Sequence, residues 1–357
     1  MRVTYFGTYD RAYPRNAQVI SCLRAAGVDV MEEHVGVWEG RRDAWAAGPA
    51  TALRLAIAEA RLLAKRPPGD ALMVGYPGHL DMPAARRAAG ERPVIFNPLL
   101  SLADTFVSDR GRFRPGSLAA RALAAIDSRA FTTADVVVAD TEAHADFLSQ
   151  LAGHDRFDVC FVGAEDRLFR PVWEPPDAFS VLFVGKLIPL QGVDTIVEAA
   201  RLSPEIRYRL VGSGQLEPLL RDMPPNVVRV PWIEYELLPH ELRRAGCALG
   251  IFGTTAKAAR VIPNKAFQAL ACGTPLVTAD TPAARELLTD ERSALLVPPG
   301  DAEALASAVR RLADNPDLLR LTGAGGRAVY EARASEAVLG PRWRAIIERA
   351  LAKAPSA

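Results

Sequence analysis

The sequence predicts an α/β protein that contains two doubly wound parallel sheets. Short apolar, β-branched runs alternate along the chain with longer helical patterns, and such alternation is typical of a parallel sheet with helices on both faces. Several of the short runs are apolar throughout, as expected for strands that are covered on both sides. With 357 residues the chain exceeds the size at which one core usually keeps growing, so two domains are expected.

The first half carries six candidate strands with helical patterns between them. The strands are Val3–Phe6, Val28–Glu32, Ala71–Tyr76, Pro93–Phe96, Asp135–Ala139 and Val159–Val162. Helical periodicity is clear in Ala50–Ala64, Ser117–Phe131 and Glu142–Leu151.

The second half repeats this architecture. Its candidate strands are Val181–Val184, Tyr208–Val211, Val227–Val230, Ala248–Phe252, Leu276–Thr278 and Leu295–Val297. The tail from Asp301 to Lys353 has a helical pattern, and we expect breaks at Asn315-Pro316 and at Gly340-Pro341. Proline removes a backbone donor and usually ends a helix.

A proline-rich stretch separates the two halves. Residues 169–179, FRPVWEPPDAF, carry three prolines and no periodicity, which predicts a linker. The expected divisions are a first domain over residues 1–168, a second over 180–334 and a final helix over 335–357.

Composition excludes several classes of protein. The net charge of +1 argues against a nucleic-acid carrier, which usually has a strong basic excess. The four cysteines are far apart, which disfavours a zinc site or a disulfide framework and fits a reducing cytoplasm. The first residues lack a secretory pattern, and no stretch reaches the ~20 apolar residues that span a bilayer. Peripheral membrane contact stays open.

The segment from Leu249 to Val277 predicts an anion site. Its sequence is LGIFGTTAKAARVIPNKAFQALACGTPLV, in which a strand is followed by a loop and then by a helix between Pro263 and Gly273. The start of a helix presents unpaired N–H groups and the positive end of its dipole, so the amides near Asn264 can hold a diphosphate. Three cationic side chains lie close by in the sequence, namely Lys257, Arg260 and Lys265. The alternative is that these are solvated surface charges.

A second segment carries a weaker signal. In VLFVGKLIPLQGVDTIVEAA, residues 181–200, a buried strand ends in Gly185-Lys186. Glycine lets a phosphate approach the backbone, and lysine supplies positive charge. The pattern GxxxxGK[ST] is absent, so this is not a P-loop, and a simple turn is the alternative interpretation.

These segments resemble the donor domain of family 4 retaining glycosyltransferases of the GT-B fold, a subgroup with PLxG and IPNKxxQxLA motifs. VGSG at 211–214 and RELLTDERSALLVPPGDAEALASAV at 285–309 also match. The first half shares FGTYDRAYPRN at 6–16, GHLDMPAARRAAGERPVIFNPLLSLADT at 78–105, ADVVVADTEAHADF at 134–147 and FRP at 169–171. The resemblance implies two Rossmann-like domains that face a cleft. The first domain would bind the acceptor, the second would bind the donor, and the last helix would pack back on the first.

In the donor domain the resemblance assigns five positions. Lys186 matches the basic residue that grips the donor diphosphate, whereas Gln191 stands where the family often has a second lysine, a contact that Lys257 could supply. The family's Glu-x7-Glu pair falls on Arg260 and Gln268. Gln268 can still bond a ribose hydroxyl, and we expect Arg260 to bind phosphate instead of sugar hydroxyls.

In the first domain the resemblance points to loops after strands. Gly7 and Thr8 hold the place of a loop that meets phosphate and acceptor, and Arg15 could reach the β-phosphate or be a surface arginine. Asp104 is the candidate acceptor-orienting group, with a helix N-cap as its alternative. His79 could orient the acceptor hydroxyl or be structural.

Further positions complete the expected site. The nucleotide base would meet backbone groups near Ile233, and Trp232 either packs on the base or belongs to the domain core, the interpretation we favour. The arginines at 110, 112 and 114 form a basic loop that is solvated or meets an anionic acceptor or lipid headgroups. No Asp-x-Asp occurs and the histidines have no metal-ligand spacing, so no metal site is expected.

The sequence thus predicts a hexosyltransferase-type enzyme that transfers sugar with retention and without a metal. Its co-substrate would be a nucleotide sugar, with UDP favoured over GDP, and it would have no tightly bound cofactor. The acceptor would be a small molecule, a glycan or a lipid-linked molecule, and no nucleic-acid partner is expected. Because the Glu pair is replaced, the alternative is a catalytically silent nucleotide-sugar binding protein of the same fold. An epimerase would keep several acidic or histidine groups that the cleft segments lack.

Overall fold

A computed structural model describes residues 1–11, 13–38, 49–171 and 178–353. The chain divides into two units. The first contains the described residues of 1–107, 111–162 and 336–357, and the second contains 108–110 and the described residues of 163–335. Residues 172–177 of the predicted linker lie outside the described residues. No helix among the described residues is long and apolar enough to cross a bilayer.

The first unit contains a six-stranded parallel sheet in the order β2-β1-β3-β4-β5-β6. Its strands are β1 Arg2–Gly7, β2 Asp29–His34, β3 Ala71–Val74, β4 Val94–Phe96, β5 Val136–Ala139 and β6 Phe157–Val159. Its helices are α1 Pro14–Ala25, α2 Pro49–Leu63, α3 Met82–Ala89, α4 Leu118–Thr133, α5 Glu142–Ala152 and α12 Glu336–Lys353. The predicted strands are present, but β6 begins and ends earlier than the predicted Val159–Val162.

The second unit contains a six-stranded parallel sheet in the order β12-β11-β10-β7-β8-β9. Its strands are β7 Ser180–Val184, β8 Arg207–Val211, β9 Val227–Val230, β10 Cys247–Leu249, β11 Leu276–Ala279 and β12 Leu295–Val297. Its helices are α6 Val193–Leu202, α7 Leu238–Arg244, α8 Asn264–Cys272, α9 Pro282–Leu287, α10 Ala302–Asp314 and α11 Pro316–Arg333. This order places the first strand, β7, beside the fourth, β10, as in the dinucleotide-binding fold.

Apolar side chains from both faces of each sheet form the cores. In the second unit, Phe183 and Phe252 are fully buried among aliphatic residues of α6 and α10. In the first unit, Trp343 of α12 is fully buried against residues of α1 and β1. Burial on both faces explains why the strands read as continuous apolar runs.

The predicted helix break at Gly340-Pro341 is wrong. Helix α12 continues through Pro341, whereas the break predicted at Asn315-Pro316 is confirmed by the start of α11. Tertiary packing explains the difference, because α12 lies against α1. A Cβ at Gly340 would lie 2.7 Å from the carbonyl oxygen of Cys22, so the glycine allows a close approach that buries Trp343.

Candidate functional site

The second sheet has a topological switch point between β7 and β10. From β7 the strand order proceeds to β8 and β9 on one side and to β10, β11 and β12 on the other. In open parallel sheets of this kind, ligands bind outside the carboxyl ends of the strands at the switch point. The residues that follow β7 and β10 are therefore the first place to look for a site.

The turn after β7 is held by the loop after β8. The Leu187 N–H donates to Ser213 O at 3.0 Å. A Cβ at Gly212 would lie 1.9 Å from Gly185 O, and one at Gly214 would lie 2.7 Å from Leu187 O. Because these approaches are backbone to backbone, neither glycine can be replaced without moving the turn.

The loop after β10 holds the same turn from the other side. The Phe252 N–H donates to Gln191 O at 3.1 Å, and the Gly253 N–H donates to Leu190 O at 3.2 Å. A Cβ at Gly192 would lie 2.5 Å from the carbonyl carbon of Phe252. The turn from residue 185 to residue 192 is therefore fixed between two loops, which makes it a rigid platform at the switch point.

Helix α8 begins as predicted. Pro263 is extended at the N-cap position, Asn264 is the first helical residue, and Gly273 ends the helix in the left-handed conformation. The first amides of a helix have no intrahelical acceptor, so this end can bind an anion. Asn264 is half-buried at that end.

Lys265 brings α8 to the turn after β7. Its Nζ lies 2.5 Å from Gln191 Oε1, 3.6 Å from the centroid of the Phe183 ring and 3.1 Å from where a Cβ of Gly185 would stand. The residue is only 8% exposed. Gln191, which stands where the resemblance led us to expect a second lysine, is thus the direct acceptor for a lysine from another element.

Burial controls the electrostatics of Lys265. Desolvation holds the pKa of its amine well below the usual range, because a buried charge loses hydration. The alternative interpretation, a solvated surface charge, is therefore wrong for Lys265.

The other predicted donor-site residues differ in exposure. Lys186 is exposed, Lys257 is buried, and Arg260 is half-buried in a short 3-10 turn after β10. Ile233 is half-buried just beyond β9. Gln268 is buried on α8.

Gln268 has a partner that sequence reasoning missed. Its Nε2 lies 3.5 Å from the Tyr235 hydroxyl, and the Tyr235 ring packs at 5.5 Å against Phe169. Burial raises the pKa of Tyr235, so the phenol stays protonated. Nothing in the local sequence marks this tyrosine, since it lies 33 residues before Gln268.

Trp232 is not part of a core. It is 47% exposed, and its indole Nε1 donates to Glu234 Oε1 at 3.1 Å. The core-packing interpretation of this tryptophan is therefore wrong. Packing of Trp232 on a nucleotide base stays a prediction.

In the first unit, Asp81 occupies the turn after β1. The Thr8 N–H donates to Asp81 Oδ2 at 2.8 Å, and the Thr8 hydroxyl donates to Asp81 Oδ1 at 2.9 Å. A Cβ at Gly7 would lie 2.1 Å from Asp81 Oδ2. A carboxylate of the protein already uses these donors, so their placement does not favour the predicted phosphate contact.

Arg15 is buried within the first unit. Its Nε donates to Asn97 Oδ1 at 3.1 Å, Nη1 donates to Phe161 O at 2.8 Å, and Nη2 donates to Cys160 O at 3.2 Å. The guanidinium carbon also lies 5.2 Å from the ring centroid of Trp343. The surface-arginine alternative is wrong. A contact with phosphate would require some of these bonds to break, so the placement favours a structural role.

His79 lies inside the first unit. Its Nδ1 is 2.6 Å from Pro77 O, its Nε2 is 3.3 Å from Asp127 Oδ1, and its ring packs between Phe96 and Phe131. Burial lowers the pKa of His79, although Asp127 opposes the effect. These contacts favour the structural alternative.

Asp127 also fixes the segment that carries Asp104. Asp127 accepts bonds from the Ser101 hydroxyl at 2.6 Å and from the backbone N–H groups of Leu102 and Ala103. The Asp104 N–H donates to Ser101 Oγ at 3.0 Å. Ser101 is thus the capping residue, and the N-cap alternative for Asp104 is wrong. Asp104 itself is buried, and its predicted role toward an acceptor stays a prediction.

The two parallel sheets define a protein of the GT-B fold, which confirms the predicted fold class. Sucrose-phosphate synthase from Thermosynechococcus elongatus has a TM-score of 0.78 to this chain at 20% identity, covering 98% of this chain and 99% of that one. Anabaena HepE, solved in complex with UDP-glucose, has a TM-score of 0.71 at 15% identity, covering 98% and 100%.

Residues 178–315 match the family model described as Glycosyl transferases group 1. This match contains the turn after β7, the loop after β10 and α8. D-inositol 3-phosphate glycosyltransferase 2 of Catenulispora acidiphila is 33% identical over 236 residues, 56% of this chain and 52% of the relative. Lipopolysaccharide core biosynthesis glycosyltransferase LpsD of Rhizobium meliloti is 29% identical over 188 residues, 50% of this chain and 52% of the relative. The chain spans about half the length of these curated relatives.

Proposed function

We propose that the chain is a nucleotide-sugar-dependent glycosyltransferase whose donor diphosphate binds between the turn after β7 and the start of α8. The observation that carries this proposal is the position of Lys265, whose Nζ lies beside Gly185 at the switch point of the second sheet. Residues 178–315, which contain this position, match the glycosyltransferase family model.

The chemistry of the site fits departure of a diphosphate. Sugar transfer builds negative charge on the leaving group, and donors already aimed at that charge lower the barrier. The amides at the start of α8, Lys265, Lys186 and Arg260 supply such donors in this proposal. Arg260, in place of a carboxylate, would add to the positive charge around the phosphates.

Finer assignments belong to the same proposal. We assign the chain to the family 4 subgroup, with retention at the anomeric carbon and no metal requirement, because basic side chains take the place of a metal clamp. The first domain, predicted over 1–168, would bind a small-molecule, glycan or lipid-linked acceptor, and the second, over 180–334, would bind the donor. Four buried free cysteines fit a reducing cytoplasm. Peripheral membrane contact through the arginines at 110, 112 and 114 is part of this proposal only for a lipid-linked acceptor.

The test is release of nucleoside diphosphate from UDP- and GDP-sugars by the purified chain without an acceptor. UDP-glucose is the first donor to test, because HepE was solved with it. Slow release that persists in EDTA is expected. Lys186→Ala should slow it about tenfold or more, because a hydrogen bond to a charged group contributes ~1.5–3 kcal/mol.

A matched control is Lys65→Ala. Lys65 is an exposed lysine of the first unit that pairs with Glu33 at 2.9 Å, so its loss should leave release unchanged. Binding of UDP or GDP without release from any donor would favour the silent binding protein. If the chain neither binds UDP or GDP nor releases nucleoside diphosphate from any donor, the proposed function is refuted.

A further inference from the structure

The close neighbours of the Lys265 amine are neutral groups. Its acceptor is the neutral amide oxygen of Gln191, and its other close neighbour is the face of the Phe183 ring. Within the described part of the chain, no carboxylate forms an ion pair with this lysine, and no opposing charge offsets its loss of hydration.

The backbone disfavours the cation as well. Lys265 is the second residue of α8, where the positive end of the helix dipole lies. A cation at this end is destabilised by the same amides that attract an anion. Burial and the helix end therefore both favour the neutral amine of Lys265 over the ammonium.

The ionisable groups on neighbouring elements do not reverse the preference of Lys265 for the neutral amine. Lys186 follows β7, Lys257 and Arg260 lie on the loop after β10, and Tyr235 lies beside Gln268. The first three are basic. The carboxylate of Glu165 acts on the Tyr235 hydroxyl and helps to keep it neutral, whereas desolvation alone shifts the pKa of Lys265. At the far end of α8, Arg243 and Arg327 act on Cys272.

From this geometry we infer that the site takes up a proton when its anionic co-substrate binds, with Lys265 changing from a neutral amine to an ammonium. The inference rests on the proposed diphosphate site and adds its regulation by pH. A diphosphate placed at the start of α8 supplies the missing negative charge. The ammonium then becomes the favoured form.

The step is a simple protonation. The lone pair of Lys265 Nζ accepts one proton from water or buffer, and the ammonium donates to a phosphate oxygen while the bond to Gln191 is kept or released. No covalent bond of the ligand changes. Donor affinity should therefore fall as the pH rises above the pKa of the free site, by up to about tenfold per pH unit.

Calorimetry of UDP binding in buffers of different ionisation enthalpy measures the proton uptake. The probes are UDP and GDP from about pH 6.5 to pH 9.5, and the upper part of this range keeps a terminal phosphate with a pKa near about 6 fully ionised. We expect uptake that approaches one proton within this range. Absence of uptake at every pH, with UDP or GDP binding intact, would overturn the inference and leave the proposed function standing.

Two variants assign the proton to Lys265. Lys265→Arg keeps a permanent charge and Lys265→Met keeps the length of the side chain without one, so neither should take up the proton. We expect Lys265→Met to bind UDP about tenfold or more weakly. Lys65→Arg, at an exposed ion pair, is the matched control and should behave like the parent. If folded Lys265→Met took up the proton like the parent, another group would be responsible and the inference would be refuted.

Failure of the proposed function and failure of the inferred proton uptake give different results. If neither UDP nor GDP binds the parent protein at any pH, the proposed function fails along with the inference. If binding persists and depends on Lys186 but shows no proton exchange, only the inference fails. Urea unfolding of each variant, measured in parallel, shows whether a change reflects the site or the fold.

Discussion

The turn after β1 and the turn after β7 occupy equivalent places in the two sheets but have opposite chemistry. Each follows the first strand of its unit and contains a glycine at a close approach. The Thr8 amide in the first turn donates to the carboxylate of Asp81. The second turn lies against the amine of Lys265.

This contrast shows why the anion site is proposed in the second unit. An amide that already binds a carboxylate of the protein has little to offer a phosphate, and Asp81 would repel it. At the second turn, no carboxylate in the described part of the chain pairs with the buried amine of Lys265, so an anion gains from entering. The same glycine-rich backbone can therefore either close on the protein itself or receive a ligand, depending on the side chain across from it.

The largest expected effect is on the backbone contact of the second turn. Gly212→Ala puts a Cβ 1.9 Å from Gly185 O at a φ of +143°, and we expect a loss of about 3 kcal/mol or more in the free energy of unfolding. Gly7→Ala should cost less, because the atom it meets belongs to the Asp81 side chain, which can move. Urea unfolding measures both.

Gly153→Ala is the control for conformational strain. Gly153 ends α5 in the left-handed conformation, with a φ of +72° and open space around its Cβ position, so only the strain of a left-handed residue, about 1–2 kcal/mol, should appear. An equal loss for Gly212→Ala and Gly153→Ala would contradict the role of the backbone contact.

The next prediction concerns the negative charge that lies at the first turn but not at the second. Asp81→Asn removes the carboxylate that binds Thr8, and we expect the free energy of unfolding to fall by about 1–2 kcal/mol. UDP affinity should not change, since the proposed site lies in the second unit. Parallel urea titration and calorimetry test this. An altered UDP affinity in a folded variant would show that the first turn contributes to the site.

A pH-dependent effect concerns the two carboxyl groups of Glu59 and Asp81. Burial and a hydrogen bond with Asp81 raise the pKa of Glu59 from 4.5 to about 10. The folded state holds the proton of Glu59 more tightly than the unfolded state does. The contribution of Glu59 to the free energy of unfolding is therefore fully present below pH 4.5 and is lost as the pH rises through about 10. Glu59→Gln should flatten this part of the stability profile. If the parent and the variant showed the same pH dependence, Glu59 would not hold the proton.

The smallest expected effect concerns the proposed contact between Trp232 and the nucleotide base. Trp232→Ala should weaken UDP binding about threefold to tenfold, as expected for an aromatic contact of ~0.5–1.5 kcal/mol. Inorganic pyrophosphate, which lacks a base, should bind the variant and the parent equally. A proportional loss for pyrophosphate would indicate that the change disturbs the phosphate site instead.

Two lysines illustrate how much of the candidate site could be predicted from the sequence. Lys186 follows a strand and a glycine, and the structure leaves it exposed at that turn. Lys265 was recognisable as basic, but its partners Gln191 and Phe183 are 74 and 82 positions away in the chain. A burial-shifted amine depends on such distant neighbours, so no local pattern could predict its state.

The sequence by itself determined the order of strands and helices, the start of α8 after Pro263 and its end at Gly273. These features depend on periodicity and on backbone preferences that act within a few residues. Tertiary structure alone decided that Arg15 is buried, that Pro341 lies within a helix and that Asp81 occupies the first turn. These outcomes depend on which groups distant in sequence are packed together, and that packing sets the local energy of each side chain.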